Sequence, residues 1–425
     1  MVVLQKIKLL STGKISKSNI AIFFFLMMCT GFLVSRALLS IGMVGLTVSS
    51  LWGVHPREWL KNKWWLLGLV WVGAYAISGV WSANKEDWSA IAQMKLPFVI
   101  MPLAFALLPR FSTKQLVFFT ITFGLMLVSG AGYGLFHLFR DLDYYIQQYH
   151  QAHVMPTPVY GDYICFASCI ALYIAWAIYM FPSLPSNGAK WGIGAIIVFL
   201  AVYLHILASK SGLVDLYVLL VLLGFRMAFT RNRILGISLI ASIPVIFYLA
   251  FNFVPTFHQR VKHLDYTFYQ FRHGDKSGAC GDLARLISYD ISTKIIADHP
   301  LIGVGAGDML DEMKVGYTKW YPEVKDDYSK LIPHNQFLTV ALGCGVPAAL
   351  IYLIWTFLPL AAIRKNRESF FLFSAWFILF IQLMIEPYLE GQFGTFVYVF
   401  FILLFKMIAD AKKAPEQIQN RSAEA

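Results

Sequence analysis

Long apolar segments separated by short basic loops make up most of this sequence. It is 58% hydrophobic and 14% charged, whereas soluble domains are about 25% charged. A run of about 20 apolar residues is the length that an α-helix needs to cross a bilayer. Helices also satisfy their backbone hydrogen bonds internally, as a hydrocarbon environment requires. The sequence therefore predicts an all-α, polytopic membrane protein with about 12 transmembrane helices.

The apolar runs define twelve predicted spans. They are residues 20–34, 37–53, 64–81, 96–108, 115–139, 163–181, 191–208, 213–229, 234–253, 335–360, 370–385 and 393–408. This divides the chain into an N-terminal bundle of about nine spans at residues 1–253 and one large loop at 254–333. The C-terminal helices then occupy 334–409, and a tail occupies 410–425. The first apolar run lacks a small-residue cleavage site, so we interpret it as a span and not a signal peptide.

The basic residues favour one orientation in the membrane. The net charge is +11, but the Lys and Arg residues cluster in short loops between spans, which argues against a nucleic-acid partner. With the N terminus in the cytoplasm, every such cluster faces inward, as in bacterial inner-membrane proteins. The large loop has ten Lys/Arg and eleven Asp/Glu and then faces the periplasm. We expect the polar chemistry on that side.

The large loop contains an amphipathic segment that starts at Gly281-Asp282, with Asp282 as the predicted N-cap. Apolar residues recur at helical spacing: Leu283, Leu286, Ile287, Ile291 and Ile295. We expect this helix to lie on the membrane surface with its apolar side down. Arg285 falls in the first turn, where the helix dipole disfavours a cation. It therefore binds either an external anion or a loop carboxylate.

Glycines follow at Gly303-Val-Gly-Ala-Gly307. They resemble a phosphate-binding loop, but no strand precedes them and the Walker lysine is missing. We favour the interpretation that they let the loop pack closely against a helix.

His334 lies where the loop re-enters the membrane, directly after Pro333. On a continuous helix, His334, Ala341, Gly345 and Ala348 share one face, because eleven residues are almost three turns. Small residues would let a lipid chain or another helix approach beneath the imidazole. The alternative is a histidine that caps the helix.

Other ionisable residues lie near the predicted external surface. Lys210 occupies a tight turn between two spans, where it is either functional or extends to the headgroups. Arg36 has the same two interpretations. Glu386 and Glu390 face either the same site or water. Cys165 and Cys169 lie four residues apart in an apolar run, which indicates helix packing and not a metal site.

These motifs together resemble the O-antigen ligase/polymerase superfamily. The resemblance is carried by Ser209-Lys-Ser-Gly212, by Arg285, by Asp298-His-Pro-Leu-Ile-Gly-Val-Gly-Ala-Gly307, and by His334-Asn-Gln-Phe-Leu338 followed by Gly343-Cys-Gly-Val-Pro347. The twelve spans and the large late loop are similar as well. The spacing from His334 to Gly345 matches the His-x10-Gly pattern of the ligase branch. Lys210 departs from the arginine that the family usually carries, and lysine cannot form a bidentate fork to phosphate.

The resemblance implies a GT-C-like, metal-independent glycosyltransferase without a cofactor. The donor would be a glycan on undecaprenyl diphosphate, and the acceptor a lipid A-core sugar. His334 would be the base, and Arg285 would stabilise the diphosphate. Five residues are expected to bind substrate: Lys210, Asn335, Arg36, Glu386 and Glu390. Membrane lipids are the other expected partners.

Other functions make different predictions. An O-antigen or exopolysaccharide polymerase would use a second lipid-linked glycan as acceptor, and a protein O-oligosaccharyltransferase would use a protein. A transporter could also have twelve spans, but it should show inverted repeats and a site at mid-membrane. No repeat is visible in the sequence.

Overall fold

The computed structural model describes residues 16–52, 63–150, 153–159, 161–273, 282–325 and 330–411. Within these ranges every regular element is helical and there is no strand, so the all-α prediction is confirmed. Nine of the described helices are long and apolar enough to cross a membrane. Three shorter apolar helices, Arg36–Leu51, Leu66–Ser78 and Val346–Ala361, overlap the remaining predicted spans, the last of them only in the second half of 335–360. The count of twelve spans stays a prediction.

The α-helices of the described residues are numbered in chain order. They are α1 (Lys17–Val34), α2 (Arg36–Leu51), α3 (Lys63–Ser78), α4 (Lys85–Lys95), α5 (Pro97–Ala106), α6 (Thr113–Arg140), α7 (Leu142–His150), α8 (Tyr163–Met180), α9 (Asn187–Leu207), α10 (Lys210–Thr230), α11 (Arg233–Phe253), α12 (Pro255–His273), α13 (Asp282–Asp298), α14 (Met309–Trp320), α15 (Gln336–Cys344), α16 (Val346–Phe357), α17 (Arg367–Ile385) and α18 (Gln392–Ala411).

Two helices form the centre of the bundle. In α18 and α8, 83% and 78% of the most apolar window is buried, against 11% in α11 at the periphery. Aromatic rings fill the space around this centre, for example Phe25 against Phe400 at 5.4 Å and Trp64 stacked on Trp355 at 4.9 Å. Cys165 and Cys169 are buried in α8, in agreement with a packing role.

A polar contact links two of the apolar helices. Gln382 of α17 donates to Asp215 of α10 at 2.6 Å, and both side chains are fully buried. Gln382 also donates to the backbone carbonyl of Ser211. The start of α10 is therefore fixed against α17, one turn before Glu386.

The polar stretch at residues 82–93, between two predicted spans, is largely helical. Asn84 caps α4 by accepting from the Asp87 backbone N–H, and Glu86 and Asp87 lie in the first turn, where acidic side chains are favourable. Helix α4 continues almost directly into α5, so 85–106 forms one apolar candidate span.

The large loop contains α12, α13 and α14, and the expected orientation of α13, with its apolar side toward the membrane, is wrong. Its apolar face is buried against α14 and the end of α15, with Ile291 and Met313 completely inaccessible. Leu286 lies off this face and is 48% exposed. Apolar area is removed from water by the protein's own helices, so this face is unavailable to lipid. Gly281 and the side chain of Asp282, the predicted N-cap, lie outside the described residues.

We predict that residues 254–333 face the periplasm, because the basic loops then all face the cytoplasm. A cysteine at exposed Lys325 should react with a membrane-impermeant thiol reagent once the outer membrane is permeabilised. A cysteine at exposed Lys114, on a predicted cytoplasmic loop, is the matched control and should stay unlabelled. Reaction at residue 325 only after rupture of the inner membrane would overturn the orientation.

Candidate functional site

His334 and Glu386 form a short polar contact at the junction of the large loop and the bundle. The imidazole Nδ1 lies 2.7 Å from Glu386 Oε2. A carboxylate at this distance fixes the proton on Nδ1, so Nε2 is left as the acceptor. Nε2 has no hydrogen-bond partner among the described residues, and the side chain is 19% exposed. The histidine can therefore accept a proton from a bound molecule.

Arg285 binds the same carboxylate. Its guanidinium forms an ion pair with Glu386 Oε1, and its Nε lies 3.4 Å from His334 Nδ1. Nδ1 is assigned as the donor to Glu386 at 2.7 Å, because the 3.4 Å contact with Arg285 is at the limit of hydrogen bonding. The arginine side chain is 24% exposed, and a guanidinium can donate to more than one acceptor at once. It can thus hold Glu386 and contact an anion together.

Backbone contacts hold the histidine in place. Tyr289 of α13 donates to the His334 carbonyl at 2.6 Å. Asn335 caps α15 by accepting from the N–H groups of Phe337 and Leu338, and its Nδ2 donates to the Met384 carbonyl at 3.0 Å. Both ends of the Asn335 amide are thus occupied, which favours a positioning role over the predicted substrate contact.

The predicted face of His334, Ala341, Gly345 and Ala348 does not form. Helix α15 begins after the Asn335 cap, and it ends at Gly345, whose φ is +87°. A side chain is strained at that φ, and a Cβ there would lie 2.2 Å from the Leu301 carbonyl oxygen. Gly345 therefore breaks the helix where the loop packs, and His334 precedes the helix without capping it.

The glycines at 303–307 pack against this break, as favoured above. Val304 and Gly305 donate to the carbonyls of Leu342 and Gly343. Ala306 and Gly307 donate to the hydroxyls of Ser78 and Ser82. These backbone donors are satisfied by the protein, so the loop is not a phosphate cradle.

Glu390 lies in a second polar cluster. It forms an ion pair with the fully buried Lys95 at 2.8 Å and accepts from Tyr75 at 3.2 Å and Gln336 at 2.7 Å. Gln336 in turn accepts from the Leu389 N–H. This cluster ties the turn after α17 to the residues following His334. Glu390 therefore supports the position of the segment that carries His334, and it takes no part in the contacts among His334, Glu386 and Arg285.

Lys210 starts α10, where Ser209 is the N-cap. It lines an apolar cavity of about 520 Å³ between α10, α11 and α12. Arg260 of α12 lines the same cavity. The structure thus places a second cation at the cavity that Lys210 lines; no sequence signal indicated it, because Arg260 belongs to no motif.

Arg36 lies at the break between α1 and α2. Its guanidinium covers the Phe393 ring at 5.1 Å, and it lines another cavity together with Glu390 and Asp162. Asp162 and Lys95 were also missed. Their sequence signals are only an acidic residue before a span and a lysine at the start of one.

A family model described as O-Antigen ligase matches residues 195–353. The matched segment includes the Ser209–Gly212 turn, Arg285 and His334, so the predicted resemblance to the O-antigen ligase/polymerase superfamily is confirmed. A search of curated proteins finds no significant match to the chain. The apolar helices and the family match together indicate a multi-pass membrane protein. Glu386, Glu390 and Arg36 lie outside the matched segment.

Proposed function

We propose that this protein is an O-antigen ligase-type glycosyltransferase of the inner membrane. It would transfer a glycan from undecaprenyl diphosphate to a lipid A-core sugar on the periplasmic side. The observation that carries the proposal is the shared contact of Arg285 and His334 with Glu386. A base with an orienting carboxylate, next to a cation, is what displacement of a diphosphate by a hydroxyl needs.

In this mechanism His334 Nε2 accepts the proton of the acceptor hydroxyl. The hydroxyl oxygen forms the new bond to the anomeric carbon, and the bond from that carbon to the diphosphate oxygen breaks. Glu386 holds the imidazole by its Nδ1–H and stabilises the imidazolium that forms, as the carboxylate of a catalytic triad does. Arg285 neutralises the charge that grows on the departing diphosphate.

The Lys210 cavity suits the donor. Two cations, Lys210 and Arg260, lie at a cavity whose other walls are mostly apolar side chains of α10 and α11. A polyprenyl diphosphate has the same division into an anionic head and an apolar chain. The Gln382 bond to the Ser211 carbonyl fixes this cavity relative to α17, which carries Glu386 at its end.

The test is deletion of the gene followed by lipopolysaccharide gel analysis. Loss of the long ladder with accumulation of lipid-linked polymer supports a ligase. A single repeat unit on the core would instead assign a polymerase. An unchanged ladder would contradict both, and a transport role would then be examined by accumulation of a solute.

We expect Lys210→Arg to retain activity and Lys210→Ala to lower it about 10-fold, because the charge, worth roughly 1–2 kcal/mol in a partly buried contact, is what the diphosphate requires. The measurement is the donor dependence of transfer by purified protein in nanodiscs. Lys114→Ala is the matched control, since Lys114 is exposed in a predicted cytoplasmic loop. Equal rates for Lys210→Ala and the control would remove Lys210 from the donor site.

We also predict that transfer needs no divalent metal. Both candidate carboxylates are already engaged by cations, Glu386 by Arg285 and Glu390 by Lys95, whereas a hard metal needs carboxylate ligands of its own. Purified protein treated with EDTA should keep its rate. Loss of transfer in EDTA, with recovery on addition of magnesium or manganese, would contradict this prediction.

A further inference from the structure

A second cavity lies between α2, α4, α5 and the start of α18, with a volume of about 720 Å³. The apolar part of its lining consists of Met43, Val44, Leu96, Pro97 and Ile100, among others. The polar part of its lining includes Arg36, Gln93, Asp162, Glu390 and Gln392. Its volume falls in the range of small-molecule sites. There is space for a sugar and part of a lipid chain, though not for a whole glycolipid.

This cavity adjoins the His334 site. The turn after α17 connects the two, because Glu386 contacts His334 and Glu390 lines the cavity four residues later. Asp162 is within electrostatic reach of both Glu386 and Arg36. A molecule bound here therefore lies near the carboxylate that contacts the imidazole.

The apolar side of the cavity opens toward the outside of the bundle. Val44 and Leu96 line it and are 53% and 51% exposed. Val44 belongs to the shorter apolar helix Arg36–Leu51 and Leu96 to the candidate span Lys85–Ala106, so these side chains face the region that lipid would occupy. An apolar chain can enter laterally, without crossing water.

The polar side has the composition of a phosphosugar site. Arg36 has no ion-pair carboxylate among the described residues, and its guanidinium is fixed over the Phe393 ring. An arginine held in this way can bind a phosphate through two parallel hydrogen bonds. The carboxylates and amides around it can accept from and donate to sugar hydroxyls.

We propose that this cavity binds the acceptor, as a phosphorylated sugar carried on a membrane lipid. The phosphate binds Arg36, the sugar hydroxyls bind Asp162, Gln93 and Gln392, and one chain lies along Val44 and Ile100. In this arrangement donor and acceptor occupy separate cavities, that of Lys210 and that of Arg36. The inference rests on the proposed function, because it assumes that one reactant is a glycolipid acceptor.

The test is direct binding of purified lipid A-core to the protein in nanodiscs, compared with the same glycolipid after phosphatase treatment. For the unmodified protein we expect about 10-fold weaker binding after phosphate removal, the effect of losing one charge-assisted contact of about 1.4 kcal/mol. Arg36→Ala should bind both forms equally weakly. Arg36→Lys should recover part of the difference. Arg110→Ala is the control, since Arg110 is exposed and does not line the cavity.

A second pair of variants tests the apolar side. Val44→Trp fills the cavity and should weaken lipid A-core binding about 10-fold, whereas Ile41→Trp should leave it unchanged, because Ile41 lies on the same helix, is 58% exposed and does not line the cavity. Equal binding by the two variants would overturn the proposal. Weaker binding of the dephosphorylated glycolipid by Arg36→Ala than by the unmodified protein would overturn it too. So would competition by phosphatidylglycerol as effective as competition by lipid A-core itself.

Measurement of glycan transfer beside binding distinguishes failure of this inference from failure of the proposed function. If the unmodified protein binds lipid A-core through Arg36 but transfers no glycan, the proposed function fails and the site stands. If transfer proceeds with an unchanged acceptor KM in both Arg36→Ala and Val44→Trp, the site fails and the function stands. A raised acceptor KM at an unchanged donor KM is the result expected when both hold.

Discussion

His334→Ala should remove most turnover, by about 10²–10⁴-fold, the usual contribution of a general base. Donor binding should be largely intact, because the imidazole contacts Glu386 and, in the proposed mechanism, meets the acceptor hydroxyl and not the diphosphate. The loss should therefore appear in the single-turnover rate and not in donor affinity. Both quantities can be measured on purified protein in nanodiscs.

Two further variants make that result specific. Glu386→Gln keeps the shape of the side chain but removes the charge that fixes the imidazole and stabilises the imidazolium, so its single-turnover rate should fall too. His273→Ala is the control, because His273 is an exposed histidine of the same loop. Normal turnover by His334→Ala would make His334 a structural residue. The base would then be sought at Glu386 or Glu390.

Arg285→Ala should weaken donor binding and lower turnover together. The guanidinium would meet the diphosphate in the ground state and bind it more strongly as charge develops in the transition state. We expect about a 10-fold loss of donor affinity and a further 10²-fold loss in rate, as for removal of one oxyanion donor. The change also leaves Glu386 without its ion pair, which adds to the loss.

Arg285→Lys separates these two effects, since lysine keeps the charge but loses the fork that can contact Glu386 and phosphate together. Its donor affinity should lie between those of Arg285→Ala and the unmodified protein. Arg272→Ala, at an exposed arginine of α12, should have no effect. If Arg285→Ala bound donor normally while His334→Ala did not, the two roles would be exchanged.

The membrane-protein class followed from the sequence because hydropathy is a local property. A run of apolar residues predicts a helix without knowledge of its neighbours, and described helices overlap each of the twelve predicted spans. The motif residues Arg285 and His334 could be paired from the sequence only through the family resemblance. The structure places Arg285 Nε 3.4 Å from His334 Nδ1.

Tertiary packing decided the contacts that complete the site. Glu386 lies 52 residues from His334 and 101 from Arg285, and no periodicity links positions so far apart. The apolar face of α13 was visible in the sequence, but whether lipid or α14 covers it depends on where the chain returns. In the same way, the sequence predicts Gly345 as a small residue on a helix face. In the structure the Leu301 carbonyl occupies the space that a Cβ of residue 345 would need. Hydropathy gives the tendency of a side chain to be buried, but only the packed chain determines which surface it is buried against.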